Sequence, residues 1–402
     1  SGTGKTYNLR KMIKQIQQQD SSIRVHVLDP HGDIEIDGAS YVKFSESTDY
    51  GFNPLLINPD EDFGGVRKRI QTFLKALNDT SRKLGTKQEA VLRNILIDVY
   101  AANGFLEKNP KTWKLNDGIQ RKHEKRNPTL EDVSRFATFK LNSIFLGTNN
   151  KAMACFEKLN KTVLRKTSMN KSYARAYTEA EKTEIEEKIK ELSKECIDLY
   201  TEGINNLKTG AEFSDLMKYD SKDVLKSVCE RIENLTAIGI FKSTPPPFDN
   251  KNNIWRYDIK ALSMDEKKLF VNFLLEDIFM RSKARGVQSG IKEMIVLDEA
   301  HIFFNDDPEN IINVIAKEAR KFGLSLVCAS QSPEHFSSDF IGSVGTKLIL
   351  GLDQTVWDIT ERKLKINKKA LEYITPQKNM LIQIKNKGEL RNSFLFCKFD
   401  NN

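Results

Sequence analysis

The sequence predicts an α/β fold: a mostly parallel sheet carrying a large all-helical insertion. Three observations predict it. Strand and helix patterns alternate at both ends of the 402 residues. The stretch from about 61 to 250 is helical in pattern. A glycine-rich segment, Ser1-Gly2-Thr3-Gly4-Lys5-Thr6, opens directly onto a helical repeat. A chain of this length exceeds one ordinary core and suits two domains, or one domain with an insertion.

In chain order, Leu9, Met12, Ile13 and Ile16 stand at helical spacing and predict a helix over Tyr7–Gln19. Ile23–Leu28 is β-branched and alternating, hence a strand, and it ends in the turn-rich Asp29-Pro30-His31-Gly32-Asp33. A short strand at Ser40–Phe44 and a Gly51–Leu55 loop follow. Helices are predicted at Val66–Leu77, Gln88–Tyr100, Leu130–Phe139, Ala152–Leu164, Glu179–Leu199 and Lys222–Leu235, with a basic loop over Pro110–Pro128. The charge density of Glu179–Lys194 fits a solvated or coiled-coil face. Pro245-Pro246-Pro247 marks the end of the insertion. Strands are then expected at Ile254–Ile259, Glu293–Leu297, Leu324–Ala329 and Thr346–Leu350, with helices at Asp265–Arg285 and Pro308–Phe322. Met380–Ile384 and Ser393–Phe399 read as a terminal hairpin around Asn386-Lys387-Gly388. The expected domains are therefore a first core part (1–60), a helical insertion (61–250) and a second core part (251–402).

Composition narrows the class. At 39% hydrophobic and 29% charged the chain is globular, with enough apolar residues for a core. No run of 18 apolar residues and no signal-peptide pattern occurs, so no membrane insertion is expected. Cys155, Cys196, Cys229, Cys328 and Cys397 are scattered, without CxxC pairs or Cys/His clusters. That usage fits reduced thiols in a cytoplasm, not a zinc site or a disulfide framework. The net charge of +8 is compatible with a polyanionic partner, and equally with an ordinary Lys-rich surface.

The opening segment matches the end of GxxxxGK[ST]. In such a loop glycines let backbone N–H groups approach phosphates, the lysine adds charge, and the hydroxyl ligates Mg²⁺. Gly2, Thr3, Gly4, Lys5 and Thr6 fill those places, with Thr6 as the metal ligand. The first glycine and its feeding strand would stand before Ser1, so the expectation is of a chain lacking its N-terminal portion. The second element is Met294-Ile295-Val296-Leu297-Asp298-Glu299-Ala300-His301. Four apolar residues deliver Asp298 to the Mg²⁺ shell, and Glu299 to polarise an attacking water. Third, the strand Leu326–Ala329 ends in Ser330-Gln331, where Gln331 either senses the γ-phosphate or holds the attacking water, or is an ordinary turn residue. Fourth, Lys317-Glu318-Ala319-Arg320-Lys321-Phe322-Gly323 offers Arg320 either as a finger reaching a neighbouring subunit's site or as a cation that the helix dipole favours. ATP and Mg²⁺ are the expected ligands.

The order of these motifs resembles the HerA/FtsK superfamily of P-loop ATPases, and within it the HerA-like branch. Further matching pieces are Leu28–Asp33, Asn53-Pro54-Leu55, Lys87–Glu89 through Asp98–Tyr100, Arg231–Glu233 to Ile240-Phe241, Tyr257–Ile259 with Leu262, Ala329–Pro333 and Gly345–Lys347. Together they cover most of the chain outside about 110–220. Ala319 stands where members commonly have glycine, and the N-terminal β-barrel typical of HerA-like proteins is not in this sequence. The resemblance implies a RecA-like core and a homohexameric ring with ATP sites between subunits. It implies double-stranded DNA in the pore, and a nuclease or other effector partner in DNA-end resection or phage defence. It places Asp29 and His31 near the nucleotide, although His31 also reads as a surface turn residue. His301 is expected to couple the acid pair to neighbouring loops. Arg121, Lys122, Lys125 and Arg126 are candidate DNA contacts, or simply a solvated basic loop.

Other readings stay open at this point. They are a conjugation or secretion ATPase of the same superfamily, an ATP-bound scaffold for an effector complex, and a sensor ATPase that binds no DNA.

Overall fold

The computed structural model describes residues 4–80, 83–118, 124–146, 150–175, 177–206, 218–219, 221–386 and 393–399. They form two compact units: Ser1–Lys83 with Lys108–Ile119 and Ile238–Asn402, and Leu84–Glu107 with Gln120–Ala237.

The first unit is built on α1 (Lys5–Gln19), β1 (Arg24–Asp29), β2 (Ser40–Lys43) and α2 (Val66–Thr80). The second contains α3 (Thr86–Ala102), α4 (Leu130–Leu146), α5 (Asn150–Tyr173), α6 (Glu179–Asn205) and α7 (Lys222–Ala237). The chain then completes the first unit with β3 (Ile254–Asp258), α8 (Met264–Arg285), β4 (Glu293–Leu297), α9 (Ile311–Glu318) and β5 (Leu324–Cys328). Last come α10 (Ser338–Ser343), β6 (Thr346–Ile349), α11 (Trp357–Leu364), α12 (Lys368–Glu372), β7 (Asn379–Ile384) and β8 (Leu395–Lys398).

Five strands make a parallel sheet in the order β2-β3-β1-β4-β5. β1 is central and buried from Val25 to Asp29, and its buried polar members His26 and Asp29 are bonded to Tyr257 and Arg256. On one face Leu9 and Ile13 of α1 pack on Val25, Val27, Met294 and Val296. α8 is capped by a Ser263/Glu266 capping box, and its buried residues lie all round it. Phe270 meets Phe44 at 4.5 Å between centroids, and Phe273 stacks on Phe73 of α2 at 5.6 Å.

That packing revises the expected boundary. The insertion was placed at 61–250, but α2 belongs to the sheet-bearing unit because Phe73 packs on α8 and Arg69 pairs with Asp277 at 2.9 Å. Thr346–Leu350 also departs from expectation. Its strand leaves the parallel sheet and joins a three-stranded antiparallel sheet, β6-β7-β8, over a small core of Ile349, Ile366, Leu371 and Leu381. The predicted hairpin is there as β7 and β8; Lys387 and Gly388 lie outside the described residues.

In the helical unit α4 packs with α7 and α3, and α5 pairs lengthwise with α6. The charged face of Glu179–Lys194 is thus the solvent side of a helical hairpin. Gly203 permits its close approach, since a Cβ there would come 2.8 Å from the Phe156 ring.

Candidate functional site

Parallel strands place their C-terminal ends together, and ligands of such sheets bind beyond those ends. β1 and β4 are in register from Arg24↔Glu293 to Leu28↔Leu297, so Asp29 and Asp298 emerge level with one another. α1 begins beside them with Gly4 before its first residue.

Gly4 has φ 82° and ψ 18°, a left-handed conformation that favours glycine. A Cβ at this position would stand 3.3 Å from both Asn8 Nδ2 and Gln377 Cγ. Asn8 Nδ2 donates to the Gly4 carbonyl at 2.8 Å and fixes the turn into the helix. The first amides of α1 and its dipole therefore face outward as an anion site. Lys5 and Thr6 sit in this first turn, both half-buried; Gly2 and Thr3 lie outside the described residues.

The acid pair is where the sequence put it. Four buried apolar residues carry the chain to Asp298 and Glu299, which are 2% and 5% exposed. Glu299 adopts φ 47° and ψ 44°, left-handed for a residue with a side chain, at a cost of about 1–3 kcal/mol. Its amide donates to Asp298 Oδ1 at 2.9 Å, and Ala300 N donates to Ala329 O at 2.8 Å, which pins the bend against β5. Lys5 Nζ bridges the two acids, 2.9 Å from Asp298 Oδ1 and hydrogen-bonded to Glu299 Oε1. Gln331 Nε2 donates to the same Glu299 oxygen at 3.2 Å. His301 Nδ1 stands 3.2 Å from Glu299 Oε2. Behind it His335 stacks on the His301 ring at 4.4 Å and shares a 2.7 Å hydrogen bond with Ser330 Oγ. The segment Ser330–His335 thus bonds Glu299 through Gln331 and backs the His301 ring through His335.

The charges follow this geometry. Burial works against the Lys5 ammonium, but its bonds to Glu299 and Asp298 outweigh that and hold it above the usual lysine range. Burial pushes the Asp298 carboxyl up in spite of Lys5. Burial acts the same way on Glu299, yet the bonds from Lys5 and Gln331 win and keep it below the carboxylate range. Burial, then the neighbouring His335, lower His301 below the usual imidazole range.

Other expected residues are placed differently. Asp29 lies at the tip of β1, as expected, but its carboxylate is fully engaged. It accepts from the amides of Gly32 (2.7 Å), Asp33 (3.3 Å) and Ile34 (2.9 Å), and from Arg256 Nε and Nη2 at 3.1 and 2.9 Å. Its role is to shape the loop, and Arg256, which sequence reasoning missed, is its buried partner. His31 is exposed on that loop. Arg320 is exposed in the 3-10 turn Ala319–Phe322, just before β5, at the opposite end of the sheet from Glu299. Among the candidate DNA contacts, Arg126 is spent on Asp132 at 2.6 and 2.7 Å, and Lys125 lies over the Phe105 ring. Arg121 and Lys122 fall outside the described residues.

The residues present fit a nucleoside triphosphate carried with Mg²⁺. Glu299 Oε2 is buried and accepts no hydrogen bond, Lys5 is a cation at a helix start, and Thr6 and Asp298 are hard oxygen donors. Among the described residues no group of three or more His, Cys, Asp or Glu could hold a metal by itself.

No protein-family profile matches the chain. A stretch of 61 residues is 39% identical to the DNA double-strand break repair helicase HerA of Pyrococcus furiosus. It covers 14% of this chain and 11% of that protein. Among solved structures, VirB4 of Thermoanaerobacter pseudethanolicus matches with a TM-score of 0.57 at 13% identity, over 95% of this chain and 84% of that one. The plasmid coupling protein TrwB in complex with a non-hydrolysable ATP analogue matches with a TM-score of 0.52 at 10% identity, over 100% and 84%. The fold is the RecA-like P-loop ATPase fold of VirB4 and TrwB, and the resemblance to the HerA/FtsK superfamily read from the motifs is borne out. Another TrwB structure, matching with a TM-score of 0.50, is a complex with ADP and Mg²⁺.

Proposed function

We propose that this chain is the ATP-hydrolysing core of a cytoplasmic homohexameric motor that translocates on or unwinds double-stranded DNA. Its partner would be a nuclease or another effector, in DNA-end processing or phage defence. The observation that carries the ATPase reading is Glu299. It is buried, strained and bonded by Lys5 and Gln331, next to Asp298 and facing the start of α1. A merely structural acid pair has no use for a left-handed backbone at its second member.

The chemistry follows from these side chains. Lys5 exchanges its acid partners for the β- and γ-phosphates when nucleotide enters. That exchange frees Glu299 to accept a proton from an attacking water. Gln331, already aimed at Glu299 Oε1, orients that water. Thr6 and Asp298 would hold Mg²⁺, whose chemistry is to neutralise charge on the phosphate oxygens. Arg320 acts in trans. β5 spans about 13 Å between the sheet end that bears Arg320 and the end that bears Glu299, farther than an arginine side chain reaches. Among the described residues its guanidinium forms no ion pair.

The test is ATP turnover by the full-length protein with and without linear duplex DNA, beside Glu299→Gln and Arg320→Ala. DNA-stimulated turnover, lost in each variant and partly restored on mixing them, supports the motor. Turnover indifferent to DNA would end the DNA-motor reading.

The conjugation or secretion reading has its own support in the fold shared with VirB4 and TrwB. Among the described residues no helix is long and apolar enough to cross a membrane. Retention of the full-length protein by membranes would favour this second reading.

A further inference from the structure

Glu299 is bordered by a short segment that another part of the chain grips. Gln331 Nε2 bonds Glu299 Oε1 at 3.2 Å, and His301 Nδ1 faces Glu299 Oε2 at 3.2 Å. His335 backs the His301 ring, with centroids 4.4 Å apart and planes at 26°. Gln331 and His335 belong to one segment, 330–336, which winds into a single 3-10 turn at Pro333–His335. Ser330 Oγ and His335 Nδ1 share a 2.7 Å hydrogen bond. Glu334 N donates to Ser332 Oγ at 3.1 Å, and Phe336 N to Pro333 O at 3.3 Å. So tied, the segment is placed as one piece.

Lys363, near the end of α11, reaches that piece from outside. Its Nζ donates to three of its carbonyls: Pro333 O at 3.4 Å, Glu334 O at 3.0 Å and Phe336 O at 2.5 Å. An ammonium carries three donors, and these bonds use them all. Bonds from a charged donor are stronger than neutral ones, so the grip is firm. The same helix rests Trp357 and Leu364 on the core of Ile349, Ile366, Leu371 and Leu381 that the antiparallel sheet covers. Lys363 thus ties the turn beside Glu299 to the body of that sheet.

We propose that Lys363 is a positioning residue for Glu299. By gripping Pro333–Phe336 it sets Gln331 and the His335–His301 stack against the carboxylate, and the antiparallel sheet thereby fixes how Glu299 meets the attacking water. This rests on the reading of Glu299 as the acid that receives the water's proton.

The test compares the full chain as wild type, Lys363→Met, Lys363→Arg, His335→Ala and the double variant Lys363→Met/His335→Ala, with Glu299→Gln as the control for hydrolysis. Each is measured for kcat and KM with MgATP, for affinity toward a non-hydrolysable analogue with Mg²⁺, and for nucleotide-free Tm. Labelled-histidine NMR of wild type and Lys363→Met is recorded without nucleotide. Lys363→Met is expected to lower kcat roughly ten- to hundredfold, the loss that a misplacement of about 1 Å produces, while analogue affinity stays within about twofold. Lys363→Arg should recover most of the rate, because a guanidinium also brings several donors to the turn. The double variant should be no slower than the slower single variant, since both residues act along one path. The His301 and His335 ring signals should shift in Lys363→Met while that of His26, buried on β1, stays. If Glu299→Gln is inactive and Lys363→Met turns over like wild type, the proposal fails and the ATPase reading stands. Losses that multiply in the double variant, or unmoved His301 and His335 signals, also overturn it. So does a fall in kcat matched by an equal fall in analogue affinity and several degrees of Tm, which makes Lys363 a support of the turn alone. If Glu299→Gln hydrolyses ATP as wild type does, or neither hydrolyses it, the reading of Glu299 fails, and this proposal with it.

Discussion

His26 gives the sharpest quantitative prediction. It lies on the central strand β1, 1% exposed, against Trp255 and Tyr257. Nδ1 shares a 3.0 Å hydrogen bond with Tyr257 Oη, and Nε2 has no partner among the described residues. Burial above all, then the positive charges of Arg281, Arg24 and Arg285, push its pKa from 6.5 down to about 3. The sign follows. The unfolded chain takes up a proton below pH 6.5 and the folded chain refuses it until about pH 3. Stability is therefore whole above pH 6.5 and falls as pH drops through that window. One pH unit corresponds to about 1.4 kcal/mol, so at pH 5 the loss relative to pH 8 is about 2 kcal/mol. That is a sizeable share of a typical folding free energy of about 5–15 kcal/mol. Urea unfolding of wild type and His26→Gln at pH 8, 6.5 and 5 isolates the term, because the other titrating groups are common to both. The wild-type curve should drop about 2 kcal/mol further than the variant's. Parallel curves, or an imidazole that titrates near 6.5 in the folded protein, would refute the reasoning.

Glu299→Gln should bind ATP at least as well as wild type, since it removes a carboxylate that competes for Lys5, while turnover falls by roughly 10²-fold or more; equilibrium binding beside steady-state hydrolysis checks both. Arg256→Met should cost about 3–5 kcal/mol in urea unfolding, because it leaves the Asp29 carboxylate buried without its cation, and adding Asp29→Asn should recover part of that loss. Thr6→Ala should abolish the dependence of ATP binding on Mg²⁺ and leave nucleotide-free stability within about 0.5 kcal/mol, readable by titration with and without chelator.

The chemistry-bearing parts of this chain were legible where local pattern and function coincide. Met294–Leu297 followed by two acids reads as a buried strand ending in carboxylates, and β4 occupies the predicted Glu293–Leu297. The helix after Gly4 was read from Leu9 and Ile13, and these are its buried residues. What stayed hidden depends on partners far away in sequence. Arg256 and Asp29 are 227 residues apart, and nothing local to either announces the pair. α2 has an ordinary amphipathic pattern that does not say which hydrophobic face will receive it. β6 reads as one more strand of the α/β alternation until Leu381 of β7 supplies its antiparallel neighbour. The sequence pattern announces none of the short helices α10, α11 and α12, although Ser337 and Asn367 cap the first and last with side-chain hydrogen bonds. His335 carried no motif; its importance comes from a ring stack.

Lys5 and Arg320 together say how the site is divided. In one chain Lys5 already neutralises one of the two acidic charges at the C-terminal end of the sheet, so an incoming polyphosphate must take over this cation and strip Glu299 of its partner. The charge then concentrated on the phosphates calls for a second cation. The remaining candidate, Arg320, is exposed at the other end of the same strands. A surface that carries the acid site at one end and its missing cation at the other is not self-complementary. Two copies related by a two-fold axis would bring like ends together. A head-to-tail arrangement brings Arg320 of one copy toward Glu299 of the next, and such heterologous contacts close into rings when the rotation allows. That head-to-tail arrangement is what the proposed function requires of Arg320, and mixing Glu299→Gln with Arg320→Ala tests it.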